Sequence, residues 1–170
     1  GHRQEMIPEI SAGRPTNKPR KQKMKNAIIF RVPRGWPESA LALSDALSGM
    51  KFVPCRPADA EAVGLVPPAE HAYGLAHRVD GCIMLTLQTE TKILPKSVIL
   101  RAVRDRAEEI EKEEGRKVGR KEMSEMAITV CARLLPQAFS KFSRFSAYLY
   151  PSRSLMVVDT TSPARAVEFA

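Results

Sequence analysis

Phe139, Lys141, Phe142, Arg144 and Phe145 fall within seven residues, and no acid lies among them. The acid-free span is longer, from Thr129 to Val158, and also holds Arg133 and Arg153. Cations beside rigid aromatic surface suit a polyanion, of which nucleic acid is the commonest. The same residues also read as a helix end followed by a half-buried strand, with aromatics in the core and cations in water. A second basic cluster, Arg116, Lys117, Arg120 and Lys121, lies just after Gly115. A solvated turn explains that cluster as well as binding does.

Other chemistries find less support. Cys55 with His77, or Cys82 with His71, can be paired as nucleophile and base, but no local context marks an activated thiol. The same four residues can be drawn as a zinc site, yet none forms a close ligand pair, and small buried hydrophobes explain the cysteines better. The Gly115 to Gly119 segment lacks the G-K-[ST] ending of a phosphate-cradling loop. Clustered carboxylates for nuclease metals are also missing: the acids gather between Asp105 and Glu114 among cations, as on a solvated helix face. The expectation is a binding protein with no enzymatic activity, no cofactor and no metal.

A chain of 170 residues with 44% hydrophobic residues can bury one core. Its net charge is +8. Residues 1–23 carry six Lys/Arg against two acids, and residues 92–121 carry ten against six, an excess of +4 in each. Anionic partners follow from that balance, and a membrane surface suits it less, because no basic helix carries a bulky apolar face. With no apolar run of spanning length, no signal-like start and three scattered cysteines, a soluble, cytoplasmic protein is expected.

The elements that must position these residues follow from period and punctuation. Residues 1–23 are Pro-rich and basic and read as a disordered extension. Ala27 to Val32 reads as a buried strand, and Pro37-Glu38-Ser39 as the opening of a helix that Gly49 ends. Lys51 to Pro54 and Gly64 to Pro68 read as extended pieces, and Cys82 to Gln88 as the clearest central strand. The period then changes. A helix starts at Pro95 and Ser97, with Ile99, Val103, Arg106 and Ile110 on one face, and runs to Gly115. A second helix from about Lys121 turns Met123, Met126, Ala127, Val130 and Leu134 inward until Pro136. Strands from Phe145 to Tyr150 and Leu155 to Asp159 form a β-hairpin, and Ser162-Pro163 opens a last helix. Its shortness points to a truncated or excised chain. The fold expected is α+β: a curved antiparallel or mixed sheet with a protruding helical hairpin. Residues 24–94 form the first part of a β-rich domain, 95–141 the hairpin, and 142–170 the strands that complete the domain.

Several segments, in order and at matching intervals, resemble the recombination-associated RdgC family. They are Phe52-Val53-Pro54-Cys55, Gly64-Leu65-Val66-Pro67-Pro68, Lys92-Ile93-Leu94-Pro95, Leu134-Leu135-Pro136 with Ala138-Phe139-Ser140 and Phe142-Ser143, and Met156-Val157-Val158-Asp159. The resemblance covers about Met24 to Ala166. It implies a bacterial, nucleoid-associated protein that binds double-stranded DNA with little sequence preference and restrains the recombinase RecA. It also implies a head-to-head, tail-to-tail homodimer shaped as a ring with a basic hole. The segment before Met24 lies outside the family pattern, and the family's C-terminal half, which supplies one of the two dimer contacts, is missing.

A DNA-binding ring that does not read sequence needs cations aimed at phosphates. Arg101, Arg104, Arg116, Lys117, Arg120 and Lys121 are the candidates on the hairpin. By the resemblance, Arg116 matches a basic position of the family, and Phe139 matches a phenylalanine near one subunit contact. Two other readings stay open. One is an RNA-binding module with Phe142 and Phe145 stacking bases from a strand. The other is a dimerisation or scaffold fragment whose charge serves solubility.

Overall fold

The structure is a computed structural model that describes residues 26–167. The extension expected at residues 1–23 lies outside the described residues. In chain order the elements are β1 (Ile28–Arg31), α1 (Ala40–Ala46), β2 (Glu61–Val66), β3 (Ala76–Val79), β4 (Cys82–Ile93), α2 (Lys96–Glu114), α3 (Arg120–Leu134), β5 (Phe139–Tyr150), β6 (Leu155–Val158) and α4 (Pro163–Val167). The six strands form one sheet in the order β1-β6-β5-β4-β2, and β3 continues the β2 edge by pairing with the start of β4. Every pairing between named strands is antiparallel. The expected α+β fold, with a helical hairpin between two sheet strands, is what the chain adopts.

Alternation along the two long strands builds the core. Ile83, Leu85 and Leu87 of β4 face the same side as their partners Leu149, Ala147 and Phe145 of β5. Met156, Val158 and Leu65 extend this apolar face, and Leu43 of α1 and Ala166 of α4 are buried against it. Ser39 caps α1, accepting the Ala42 N–H. Pro37 and Glu38 therefore precede that helix rather than opening its first turn. A buried hydroxyl ties α1 to the sheet: Ser44 Oγ accepts the Leu75 N–H at 2.8 Å.

Four other expectations shift. The strand at Lys51 to Pro54 is reduced to a single parallel bridge between Lys51 and Leu65, consistent with the prolines that follow. Its backbone passes so close to Gly64 that a Cβ there would strike Phe52. β4 continues five residues beyond Gln88, and β5 begins at Phe139, six residues before Phe145 and inside the range expected for the hairpin. Arg106 is exposed and paired with Glu109, so it does not face inward. β3 has no counterpart among the expected strands. It joins β4 through Asp80 and Gly81, both at positive φ (42° and 81°), as a two-residue hairpin turn requires.

α2 and α3 pack chiefly on each other, burying Val103, Ala107 and Val130. Gly115, at φ 65°, closes α2 in the left-handed region and accounts for the break in the helical pattern. No helix among the described residues is long and apolar enough to cross a membrane.

On the opposite face of the sheet a polar ladder joins β4 to β5. Thr86 and Ser146 share a hydroxyl hydrogen bond of 3.0 Å, and Arg144 Nε donates to Gln88 Oε1 at 2.6 Å. Glu90, only 5% exposed, accepts from Ser140 Oγ at 2.5 Å and from the Cys55 N–H at 2.8 Å. These bonds, the serine's first, hold its carboxyl below the ordinary glutamate range, against the opposing effect of burial.

Two predictions test this frame. Leu149→Ala, at a fully buried position, is expected to cost about 2–5 kcal/mol in urea unfolding. Tyr73→Ala, at a position 93% exposed, should stay within about 0.5 kcal/mol of the parent. Equal effects would contradict the assigned core. The second concerns pH. Glu90 has a folded-state pKa below its unfolded value of about 4.3, so its contribution is present above that value and is lost as pH falls through the folded pKa. Glu90→Gln keeps one acceptor oxygen and should flatten the acid limb of stability below about pH 4. An unchanged limb would remove Glu90 from the account.

Candidate nucleic-acid interface

The hairpin cations do not act as one group. Arg116 is fully engaged. Its two terminal nitrogens grip the Glu122 carboxylate at 2.8 and 2.9 Å, and its Nε donates to Glu114. Glu122 first, then Glu114, hold the guanidinium above its ordinary pKa, and Glu122 is lowered in return. The result is a staple across the turn, from the end of α2 to the first turn of α3. A second tie is the Val118 N–H, which donates to Glu111 Oε1 at 3.2 Å. Each exposed pair is worth little alone, but together they fix the path of a short loop.

Lys117 on that fixed loop, and Arg120 and Lys121 in the first turn of α3, are exposed and make no ion pair with a carboxylate among the described residues. Arg101 and Arg104 are exposed as well, but near the base of α2. Fourteen helical residues separate Arg101 from Gly115, or roughly 21 Å along the axis. Between these two sites the first helix of the hairpin is acidic: residues 105–114 hold six acids against two Lys/Arg. The six candidates thus form a basic tip and a basic base with an acidic shaft between them. Arg133 lines a groove between the helices together with Asp105 and Glu109.

The aromatic cluster separates by face. Phe145 is 9% exposed and belongs to the core. Phe142 points to the opposite face, across from Glu90 and beside Arg144, and is 56% exposed. The two rings cannot stack neighbouring bases together. Phe139, 85% exposed, sits opposite Ile93 where the sheet meets the hairpin. It has no core role, and a large bare ring at an element junction is the usual form of a contact residue.

Arg144 differs from Arg116 in one respect. Its partner is a neutral amide, which orients the guanidinium without cancelling its charge. In sequence it is one cation of the aromatic-basic cluster, and only the register that places Gln88 opposite it reveals the difference.

Cys55 and Cys82 are held in the thiol form. Burial, then the Glu90 charge, pushes the Cys55 thiol up, and burial does the same to Cys82. Among the described residues no group of three or more His, Cys, Asp and Glu side chains is arranged to hold a metal ion.

Comparison with known proteins adds an identity to this geometry. A family model described as "Putative exonuclease, RdgC" matches residues 24–170. The "Recombination-associated protein RdgC" of Herminiimonas arsenicoxydans is 39% identical over 144 residues, covering 85% of this chain and 48% of that protein. The protein of the same name from Janthinobacterium sp. (strain Marseille) is 38% identical over a similar span. That from Salmonella newport (strain SL254) is 33% identical over 143 residues, 84% of this chain and 47% of the relative. The chain therefore spans about half the length of the curated relatives it matches. By the family match and these relatives together, the chain belongs to the RdgC family of recombination-associated proteins.

Proposed function

We infer that the chain binds double-stranded DNA without sequence preference, through backbone phosphates, and serves recombination in that way. The observation that carries this reading is the set of exposed cations without carboxylate partners among the described residues, Lys117 on the turn and Arg120 and Lys121 at the start of α3, held in place by the Arg116 staple. Membership in a recombination-associated family supplies the polyanion. Arg101 and Arg104 add phosphate contacts at the hairpin base. Arg116 reaches a phosphate only by leaving Glu114 and Glu122, so in this reading its main work is positional. The gain on binding comes largely from released counterions.

The name given to the family model includes an exonuclease; the relatives' names do not. The reading here is of a binding protein. Glu109, Glu114 and Glu122 of the hairpin are taken up by arginines, and both thiols whose pKa is shifted are pushed up, away from the nucleophilic form. Self-association, restraint of RecA and a place on the nucleoid belong to the same proposal, with ring closure reserved for the full-length family. In it, Phe139 supplies one subunit contact.

Replacing Lys117, Arg120 and Lys121 together by Ala should weaken duplex binding equally on unrelated sequences. The salt slope should fall by roughly 0.9 for each phosphate no longer neutralised. Arg116→Ala alone should do much less. A triple variant that matches its parent at every salt concentration would move the interface off the hairpin. Sedimentation tests the subunit contact. Phe139→Ser is expected to abolish self-association while leaving the melting curve in place. A dimer that survives this change would exclude Phe139 from the contact.

A further inference from the structure

At the end of the sheet farthest from the hairpin, three arginines from two distant segments meet around one pocket. Arg31 ends β1, Arg34 lies in the following turn, and Arg153 sits in the turn between β5 and β6. The Val32 N–H donates to the Ser154 carbonyl at 2.9 Å and fastens the two segments together. The pocket has a volume of about 560 Å³, ample for a phosphate group. None of the three guanidiniums is in an ion pair among the described residues. Glu38 is the one acid on the wall. A fourth cation, Arg78, lines the adjoining cleft and donates to the Glu38 carbonyl at 3.0 Å, fixing that wall.

Three exposed arginines lining one pocket without a counter-ion give it a positive local potential that favours an anion. Ser152 and Ser154 also line the pocket, and neither hydroxyl has a hydrogen-bond partner among the described residues. Three planar forks and two hydroxyl donors match the several oxygens of a tetrahedral phosphate better than the two of a carboxylate. We propose that the pocket bounded by Arg31, Arg34 and Arg153 binds a phosphate group. Its natural source is a DNA backbone phosphate, an assignment that rests on the DNA-binding reading above. β5 has 12 residues, which at about 3.4 Å each place the pocket roughly 35–40 Å from Phe139. One turn of B-DNA is about 34–36 Å. A duplex lying along β5 thus presents the same strand face at the hairpin base and at the pocket.

The test compares the parent chain, Arg31→Gln/Arg34→Gln/Arg153→Gln, and Lys117→Ala/Arg120→Ala/Lys121→Ala. Inorganic pyrophosphate, observed by phosphorus NMR, should broaden with the parent and the hairpin variant and stay sharp with the pocket variant. Pyrophosphate that stays sharp with the parent, or broadens equally with the pocket variant, overturns the proposal. Duplex titrations against salt then identify the source. The pocket variant should lower the slope by about 1–3, at roughly 0.9 per phosphate, on long duplexes but not on duplexes shorter than one turn. If pyrophosphate binding is lost and the duplex curves do not move, the pocket serves a free phosphate compound and the DNA assignment falls. If the parent binds no duplex, the DNA-binding reading fails, and the pyrophosphate arm still decides the pocket. Arg34→Gln and Arg153→Gln singly, both in turns, keep the test open should the triple variant melt early.

Discussion

Eleven residue pairs join β4 to β5, from Ile83 with Leu149 to Ile93 with Phe139. This ladder organises everything else in the molecule. Its two strands are separated by the whole helical hairpin, so the pairing has to close a long connection before it gains anything. Closure entropy grows only slowly with loop length, and the hairpin folds on its own local contacts, which shortens the effective loop. The cost is therefore bearable, and it is offset by a ladder that gives the sheet its two differing faces. One face takes the apolar side chains of both strands and receives α1 and α4. The other takes hydroxyls, an amide, a carboxylate and an arginine in register.

That second face explains why the strands are so long. An apolar strand ends where its cover ends, and on the core face of the ladder Leu87 and Phe145 give way to the half-buried polar pair Thr89 and Ser143. Beyond that point pairing continues on polar cross-strand contacts: Gln88 with Arg144, Glu90 with Ser140, and Lys92 Nζ with the Ala138 carbonyl. Glu90 also holds the Cys55 backbone, so the loop before β2 is anchored by the same carboxylate that pins the start of β5. The rigid base from which the hairpin springs is thus built from polar bonds, and Phe139 is displayed at its edge instead of being absorbed into a core.

These mechanics determine how much of the fold and the site is legible in the residues alone. The helical hairpin is legible because Pro95, Gly115, Gly119 and Pro136 punctuate a clear change of period. The central part of β4 is legible because Cys82 to Leu87 is apolar. Its continuation through Thr89, Glu90, Thr91 and Lys92 is not, since a strand sustained by polar pairing carries no hydrophobic signal. β3 lacks apolar alternation, although Asp80-Gly81 marks its turn. The separation of Phe142 from Phe145 follows once both are placed on one strand, because residues three apart point to opposite faces. The neutralisation of Arg116 does not: Glu122 becomes its partner only when the turn brings α3 back. The arginine pocket depends on topology still more, as Arg31 and Arg153 meet only because β1 pairs with β6.

Charge therefore has to be weighed after pairing. A net +8 spread over the sequence resolves into several distinct situations. Arg116 and Arg106 are bound to carboxylates and hold local shape. Arg144 is oriented by a neutral amide and keeps its charge. Lys117, Arg120 and Lys121 keep theirs on a turn and helix start that Arg116 holds still, so in the proposed reading one cation serves the interface by giving up its own availability. A polyanion is attracted by the sum of charges at long range, but it is held by those whose forks and ammonium groups are left open on a rigid support. In this fold such groups lie at both ends of the β4–β5 ladder, and the acidic shaft of the hairpin separates its tip from its base. In the proposed DNA-binding reading, the spacing of open cations, set by strand length and helix length, is what matches a regular array of phosphates; total charge alone sets only how strongly the chain is drawn towards it.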